Sequence, residues 1–144
     1  MCYYSLLEGK HMINLEDKDE ITSILINLKI HPKMSGFDYI REAVSLCLKE
    51  PDLLRNITTK LYPMLSEKFK VKASIIERCI RFAINSAYDS GGLLNINQFY
   101  DVIVYTNDFK YPSSELIAII TEKVRLDMLT KYYIKQYKKY KTNI

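Results

Sequence analysis

The segment 65–81 constrains the fold more than any other part of the chain, because its apolar residues are spaced as in two short helices joined by a tight turn. Five apolar residues stand where such helices would bury side chains against each other: Leu65, Phe69, Val71, Ile76 and Cys79. Steps of three and four residues place a polar set on one face of the second helix: Ser74, Glu77, Arg78 and Arg81. The segment therefore predicts a helix-turn-helix with a basic second helix.

This polar face fits the reading of DNA, because an Arg side chain can pair bidentately with guanine and with phosphate. An ordinary helical hairpin with a solvated charged face explains the same pattern and stays the alternative. The predicted turn, residues 70–72, begins with Lys70, where many motifs of this class carry Gly.

The composition fits a single globular domain. The chain has 144 residues, of which 48% are hydrophobic and 26% charged, enough to bury a sizeable core. No apolar run approaches the roughly 20 residues of a membrane span, and residues 1–12 lack the basic and apolar regions of a secretory signal. We therefore expect a cytoplasmic protein that does not bind membranes.

The formal net charge of +4 is concentrated at one end of the chain. The last fourteen residues hold five Lys and no acid; the other 16 of the 21 basic residues are balanced by 17 acidic ones. Tyrosines lie between these lysines. We predict a basic tail over 130–144 that neutralises phosphates, packs its tyrosines against a partner, or only extends a helix.

Metal binding, disulfide bonding and catalysis find no support in the sequence. Cys2, Cys47 and Cys79 are odd in number and far apart, and His11 and His31 have no partner at ligand spacing. There is no Gly-rich phosphate loop, nucleophile elbow or pair of acids at a catalytic spacing. We therefore predict no metal, no cofactor, no disulfide and no enzymatic activity.

Hydrophobic periodicity predicts an all-α fold of about six helices with the helix-turn-helix at its centre. Residues 1–18 show no clear periodicity and are predicted as an arm, followed by a domain over 19–129. The first helix is predicted from Glu20 with Asp19 as its cap, and the second begins near Gly36.

The remaining helices are predicted from caps and breakers. One of the threonines at 58–59 caps the first helix of the motif, and the glycines at 91–92 end the second, predicted over 73–88. The apolar segment 93–105 is predicted as helical, although its end would tolerate a strand. Ser113 is predicted to cap a long last helix.

With these elements in place, three stretches resemble the DNA-binding effector domain of the stage-zero sporulation response regulator (sporulation initiation factor A) of endospore-forming bacteria. They are GFDYIREAV at 36–44, ITTKLYPMLSEKFKVKASIIERCIRFAI at 57–84 and SSELIAIITEKVRL at 113–126. The resemblance spans residues 21–129, and its LYP, EKF and ERxIRxAI elements at fixed spacing are specific to that family.

The resemblance implies an all-helical, winged-helix-like effector domain without a clear wing, which binds promoter boxes in double-stranded DNA, often as a head-to-tail pair on tandem sites. The helix at 73–88 would enter the major groove with three residues at base edges: Ser74, Glu77 and Arg78. Three cations would hold the phosphate backbone: Lys33, Lys72 and Arg81. The RNA polymerase sigma subunit is a further implied partner.

The chain departs from that family at several points. Ile75 stands where members usually carry Arg, which shifts the preferred base or costs roughly 1–3 kcal/mol at one base pair. The segment 98–106 lacks an aromatic-Gly-aromatic pattern, which weakens the expectation of contacts to RNA polymerase. The residues before Ile21 are too few for the receiver domain of family members, so we expect binding without such a phosphorylation switch.

Two residues and the function as a whole have second interpretations. Glu77 could cap the helix together with Ser74, or accept a hydrogen bond from a cytosine amino group. Ile75 could touch a thymine methyl group or be a tolerated surface residue. The leading hypothesis is a sequence-specific transcription regulator on promoter boxes linked to sporulation; the alternative is a protein-interaction module that pairs with or antagonises a full-length relative.

Overall fold

The computed structural model describes residues 15–143, and their side chains from residue 18 onward. This part of the chain contains helices and no strands, which confirms the all-α prediction. Its six α-helices are α1 (Leu15–Asn27), α2 (Ser35–Lys49), α3 (Tyr62–Phe69), α4 (Ala73–Asp89), α5 (Ile96–Tyr100) and α6 (Ser113–Thr142). Shorter helical elements are two 3-10 helices, Pro51–Arg55 and Gly92–Asn95, and a π-helical turn, Ile57–Leu61.

The helix α2 lies at the centre of the fold and packs against α1, α3, α4 and α6. Its inner face, predicted from the sequence, is buried together with the predicted inner faces of α1 and α4. On α4 these residues repeat at helical spacing: Ile76, Ile80, Ala83, Ile84 and Ala87. The core therefore holds α4 by one side and leaves its other side outward.

The structure corrects two predicted helix limits. The first helix begins at Leu15 rather than Glu20, so Asp19 lies inside α1 and does not cap it; residues 1–14 of the predicted arm lie outside the described residues. The helix predicted over 93–105 ends at Tyr100, because the next residue has a left-handed φ of 55°.

The side chain of Asn97 holds the chain that follows α5. Its Oδ1 accepts hydrogen bonds from the backbone amides of Val104 (2.8 Å) and Tyr105 (2.7 Å), and its Nδ2 donates to the Tyr105 carbonyl at 2.9 Å. These bonds replace the backbone pairs that a continued helix would have made. The apolar residues after Tyr100 were predicted as helical, but they belong to a folded loop.

The predicted caps were also wrong. The threonines at 58–59 lie within the π-helical turn, where the Leu61 amide donates to the Asn56 carbonyl at 3.1 Å, and this turn runs directly into α3. Helix α6 begins at Ser113 with Pro112 as the residue before it, and no side chain caps it. The prediction that two glycines end α4 is confirmed, since Gly91 has a left-handed φ of 77°.

Helix α6 continues far beyond the core. Its last buried residue is Met128, yet the helix extends without a break to Thr142. The segment predicted as a basic tail is therefore, up to that residue, a helical extension with mostly exposed side chains. Despite its length, neither this helix nor another in the described chain is apolar enough to cross a membrane.

Candidate nucleic-acid interface

Helices α3 and α4 are joined by a three-residue turn, as predicted. Lys70 ends α3 with φ 58° and ψ 40°, the left-handed conformation that glycine adopts most readily. The Val71 amide donates to the Ser66 carbonyl at 3.3 Å, and α4 starts at Ala73. A Lys in place of the usual Gly is therefore accommodated by the same backbone conformation.

Two contacts attach α3 to α2. The carboxylate of Glu42 is almost buried, with 8% of the residue exposed, and accepts from Lys68 Nζ at 2.5 Å. The rings of Tyr39 and Phe69 meet edge to face with their centroids 4.9 Å apart. Both contacts lie near the carboxyl end of α3, so they fix the turn and the start of α4 relative to the core.

The amino-terminal turn of α2 lies directly against α4. A Cβ on Gly36 would lie 2.4 Å from the Cys79 carbonyl oxygen and 2.8 Å from the Ala83 Cβ. Only glycine permits this approach. Lys33 precedes this glycine by three residues and is exposed, and its backbone amide donates to His31 Nδ1 at 3.1 Å. Lys33 therefore lies three residues before the point at which α2 contacts Cys79 of α4.

The outward face of α4 carries the three predicted base-contact residues. Ser74 and Arg78 are exposed, and neither side chain forms a hydrogen bond or ion pair with another residue of the described chain. Glu77 is half-buried and accepts from Arg81 Nη1 at 2.5 Å. The pairing places Glu77 and Arg81 together on one flank of this face.

The capping interpretation of Glu77 was wrong. The residue before α4 is Lys72, so Ser74 lies within the first turn, and no side chain caps the helix. Glu77 bonds instead to Arg81, one turn further along. Its carboxylate is therefore oriented by a cation and not by the backbone amides of the helix start.

The amino-terminal end of α4 attracts anions. Its first turn contains no acidic residue, and exposed Lys70 and Lys72 precede it. The unpaired amides of a helix start carry a partial positive charge, which these two cations reinforce. Phosphate is the group that such an end binds most readily.

A groove of about 440 Å³ runs along the Glu77 flank of α4. Its other wall comes from the start of α6 and from the π-helical turn, including Ser113 and Thr58. Tyr62 lines the floor: burial raises the pKa of its hydroxyl, the nearby Glu77 carboxylate adds to the rise, and Arg81 opposes it. Thr58 and Ser113 were predicted only as helix caps, and the groove that they form with Tyr62 was not predicted, because its residues come from segments far apart in the chain.

Phe82 was missed as well. Its ring is 67% exposed on α4, four residues after Arg78 and seven after Ile75. Those spacings place it on the outward face, and the same periodicity that identified Arg78 could have identified it. Ile75 is 36% exposed, which confirms that it faces outward.

One comparison with known proteins bears on this surface. The family model described as "Sporulation initiation factor Spo0A C terminal" matches residues 21–124, which includes α2, α3, the turn, α4 and the first part of α6. That family is a DNA-binding domain and not an enzyme family. The chain belongs to the family of sporulation initiation factor C-terminal domains, the DNA-binding effector domains of sporulation regulators.

Proposed function

We propose that this protein is a sequence-specific transcription regulator that binds promoter boxes in double-stranded DNA through the outward face of α4. One observation carries the proposal: Arg78 lies at the centre of that face, exposed and without an ion-pair partner among the described residues. A guanidinium left free on a rigid helix keeps all its donors for a guanine edge.

The proposed base contacts come from the amino-terminal half of α4. Arg78 would donate to guanine, Glu77 would accept from a cytosine amino group, and Ser74 would pair with either kind of edge. Because Arg81 already holds the Glu77 carboxylate, that acceptor is oriented before DNA arrives. The three side chains lie within two helical turns, a length that suits a few neighbouring base pairs.

The proposed phosphate contacts lie on both sides of α4. Arg81 is on the groove side and Lys72 stands at the helix start, while Lys33, three residues before the glycine that contacts Cys79, would reach the phosphate on the opposite side. A helix inserted in the major groove has one phosphate backbone on each side, so cations on both flanks fix its register. This arrangement supports insertion of α4 along the major groove.

Binding as two copies on tandem boxes, with contact to the RNA polymerase sigma subunit, belongs to the same proposal. The loop after α5 supports a protein contact, because it exposes three apolar side chains: Val102, Ile103 (82%) and Phe109. This loop is separate from the outward face of α4 in sequence. Half-sites about 10 base pairs apart would place two copies on the same side of the duplex.

A gel-shift titration tests the proposal. The protein is mixed with a duplex that carries tandem family boxes and, separately, with a scrambled duplex of the same composition, at low and at physiological salt. We expect the preference for the boxes to persist at physiological salt, since base contacts depend less on ionic strength than phosphate contacts do. Equal binding to both duplexes at every salt concentration would refute sequence-specific recognition.

The exposed apolar loop favours one alternative, a protein-interaction module that pairs with a full-length relative. The module predicts binding to that relative without DNA, and no preference for the box. Replacing Ile103 with Ser separates the two functions, because it should weaken the protein contact while box binding by a single copy stays unchanged.

A further inference from the structure

The outward face of α4 includes an apolar flank, formed by Ile75 and Phe82. Both side chains are exposed, Phe82 to 67%, on a surface whose other outward residues are polar or charged. Covering an exposed phenyl ring with an apolar partner lowers the free energy, because apolar surface is removed from water. The position of this flank beside Arg78 limits which partner can cover it.

The two apolar residues lie on the same side of Arg78. Successive residues on a helix are about 100° apart, so Ile75 and Phe82 fall on one flank of Arg78, and Ser74 and Arg81 on the other. Seven residues separate the apolar pair, which is about 10 Å along the helix axis. The guanidinium therefore lies between an apolar flank and a polar flank, within one continuous surface.

The cations beside this flank favour DNA over a protein as the partner. Arg78 has no ion-pair partner in the described chain, and Lys72 stands at the helix start. Lys33 lies three residues before Gly36, which contacts α4 at Cys79, on the side of Ile75 and Phe82. In the major groove, the C5-methyl group of thymine is the apolar group that base pairs present. A thymine in a nearby base pair presents this methyl group in the same groove as the acceptors that Arg reads on guanine.

We propose that Ile75 and Phe82 form a methyl-reading flank, which contacts the C5-methyl groups of two thymines on either side of the guanine contacted by Arg78. This inference rests on the proposed function. At about 3.4 Å per base-pair step, the distance of about 10 Å between the two residues corresponds to methyl groups about three steps apart. Phe82, the more exposed of the pair, contributes the larger part of the preference.

The experiment replaces single thymines by deoxyuridine in the duplex that the protein selects from a random pool. Deoxyuridine pairs as thymine does and lacks only the methyl group. We expect two positions, about three base pairs apart, at which wild-type affinity falls about fourfold, the effect of one buried methyl group. Replacement at other thymines, whose methyl groups stay in water, should change the affinity by less than about twofold.

Two variants show which side chain contacts the thymine methyl group at each of the two positions. Phe82→Ala should bind thymine and deoxyuridine equally at one of them, and Ile75→Ala at the other. The matched control is Ile26→Ala, which removes a 52%-exposed apolar side chain from α1 and should keep both methyl effects. Thermal unfolding of each variant checks the fold, which loss of an exposed side chain leaves intact.

The possible outcomes distinguish failure of the methyl-reading flank from failure of the proposed function on which it rests. A selected duplex that binds wild-type protein equally with thymine or deoxyuridine at every position overturns the methyl-reading flank and leaves sequence-specific binding standing. A methyl effect that persists in both variants also overturns it. A random pool that yields no preferred duplex refutes the proposed function itself.

Discussion

Arg81 Nη1 lies 2.5 Å from Glu77 Oε1, one turn earlier on α4. Pairs of this kind on an exposed helix surface stabilise a protein by only about 0.3–0.5 kcal/mol. The pair is therefore a weak contributor to the fold. Its larger consequence is for the proposed binding, in which the guanidinium would contact a DNA phosphate and the carboxylate a cytosine.

Replacing Glu77 with Gln tests whether the pair competes with these contacts. On scrambled duplex, where no cytosine engages the Glu77 carboxylate, Arg81 stays paired with it, so loss of the carboxylate frees Arg81 for phosphate. We therefore expect tighter binding to scrambled duplex, with a log–log salt slope for that duplex steeper by about 0.9. Discrimination at one base pair should fall by about 1–3 kcal/mol. Both changes can be measured in salt titrations with box and scrambled duplexes.

Glu50→Gln is the matched control, since Glu50 is exposed at the far end of α2 and forms no ion pair in the described chain. It removes the same charge and should leave the salt slope and the discrimination unchanged. A Glu77→Gln variant that behaves like this control would show that Arg81 gains no phosphate contact when released.

Arg78→Ala is expected to weaken box binding by about 1–3 kcal/mol without loss of fold. The side chain is exposed and forms no hydrogen bond or ion pair in the described structure, so its removal leaves no buried group unsatisfied. The affinities for box and scrambled duplex measure the loss of binding, and far-UV circular dichroism checks that the variant is folded. Unchanged discrimination in the folded variant would remove Arg78 from the base-reading set.

Lys70→Gly should stabilise the protein. The left-handed conformation at φ 58° strains a residue with a Cβ, and glycine relieves this at some cost in chain entropy, for a net gain of about 0.5–1 kcal/mol. Denaturant unfolding measures this increase in the free energy of unfolding. Lys49→Gly, within the right-handed end of α2, should instead lower stability by up to about 1 kcal/mol.

Gly36→Ala should destabilise the protein by about 1–3 kcal/mol and displace α4. The added Cβ would lie 2.4 Å from a backbone oxygen, which cannot rotate away as a side chain can. Ser35→Ala, at the exposed start of the same helix, is the control and should have little effect. Equal stabilities of the two variants in thermal unfolding would contradict the close approach of α2 and α4.

The salt dependence of DNA binding tests which of the three interpretations of the basic tail holds, that is, whether its lysines contact phosphates. Replacing Lys135, Lys138 and Lys139 by Gln keeps the helix and removes three exposed charges. Each lost contact should flatten the log–log salt slope by about 0.9. An unaltered slope would indicate that this part of α6 only extends the helix.

Much of the fold could be predicted from periodicity, because a helix core repeats at the spacing of its own turns. The buried residues of α1, α2 and α4 were identified this way, as were the turn at 70–72 and the exposure of Ile75. The sequence pattern was not sufficient at two places, where the local structure depends on individual residues and not on hydrophobic periodicity. Asn97 holds a loop where the apolar pattern had predicted helix, and Lys72 precedes α4, which excludes one of the two interpretations of Glu77, a cap formed with Ser74.

The sequence by itself determined that residues 15–143 form helices and no strands, which face of α4 is buried, and which family the chain belongs to, since each of these depends on residue identity at regular spacing. The tertiary structure alone decided what stands beside that face. Gly36 packs against Cys79 on one side, and Tyr62, Thr58 and Ser113 form the groove on the other. These residues are far apart in the chain, and only the packing of α2, α3 and α6 around α4 brings them together.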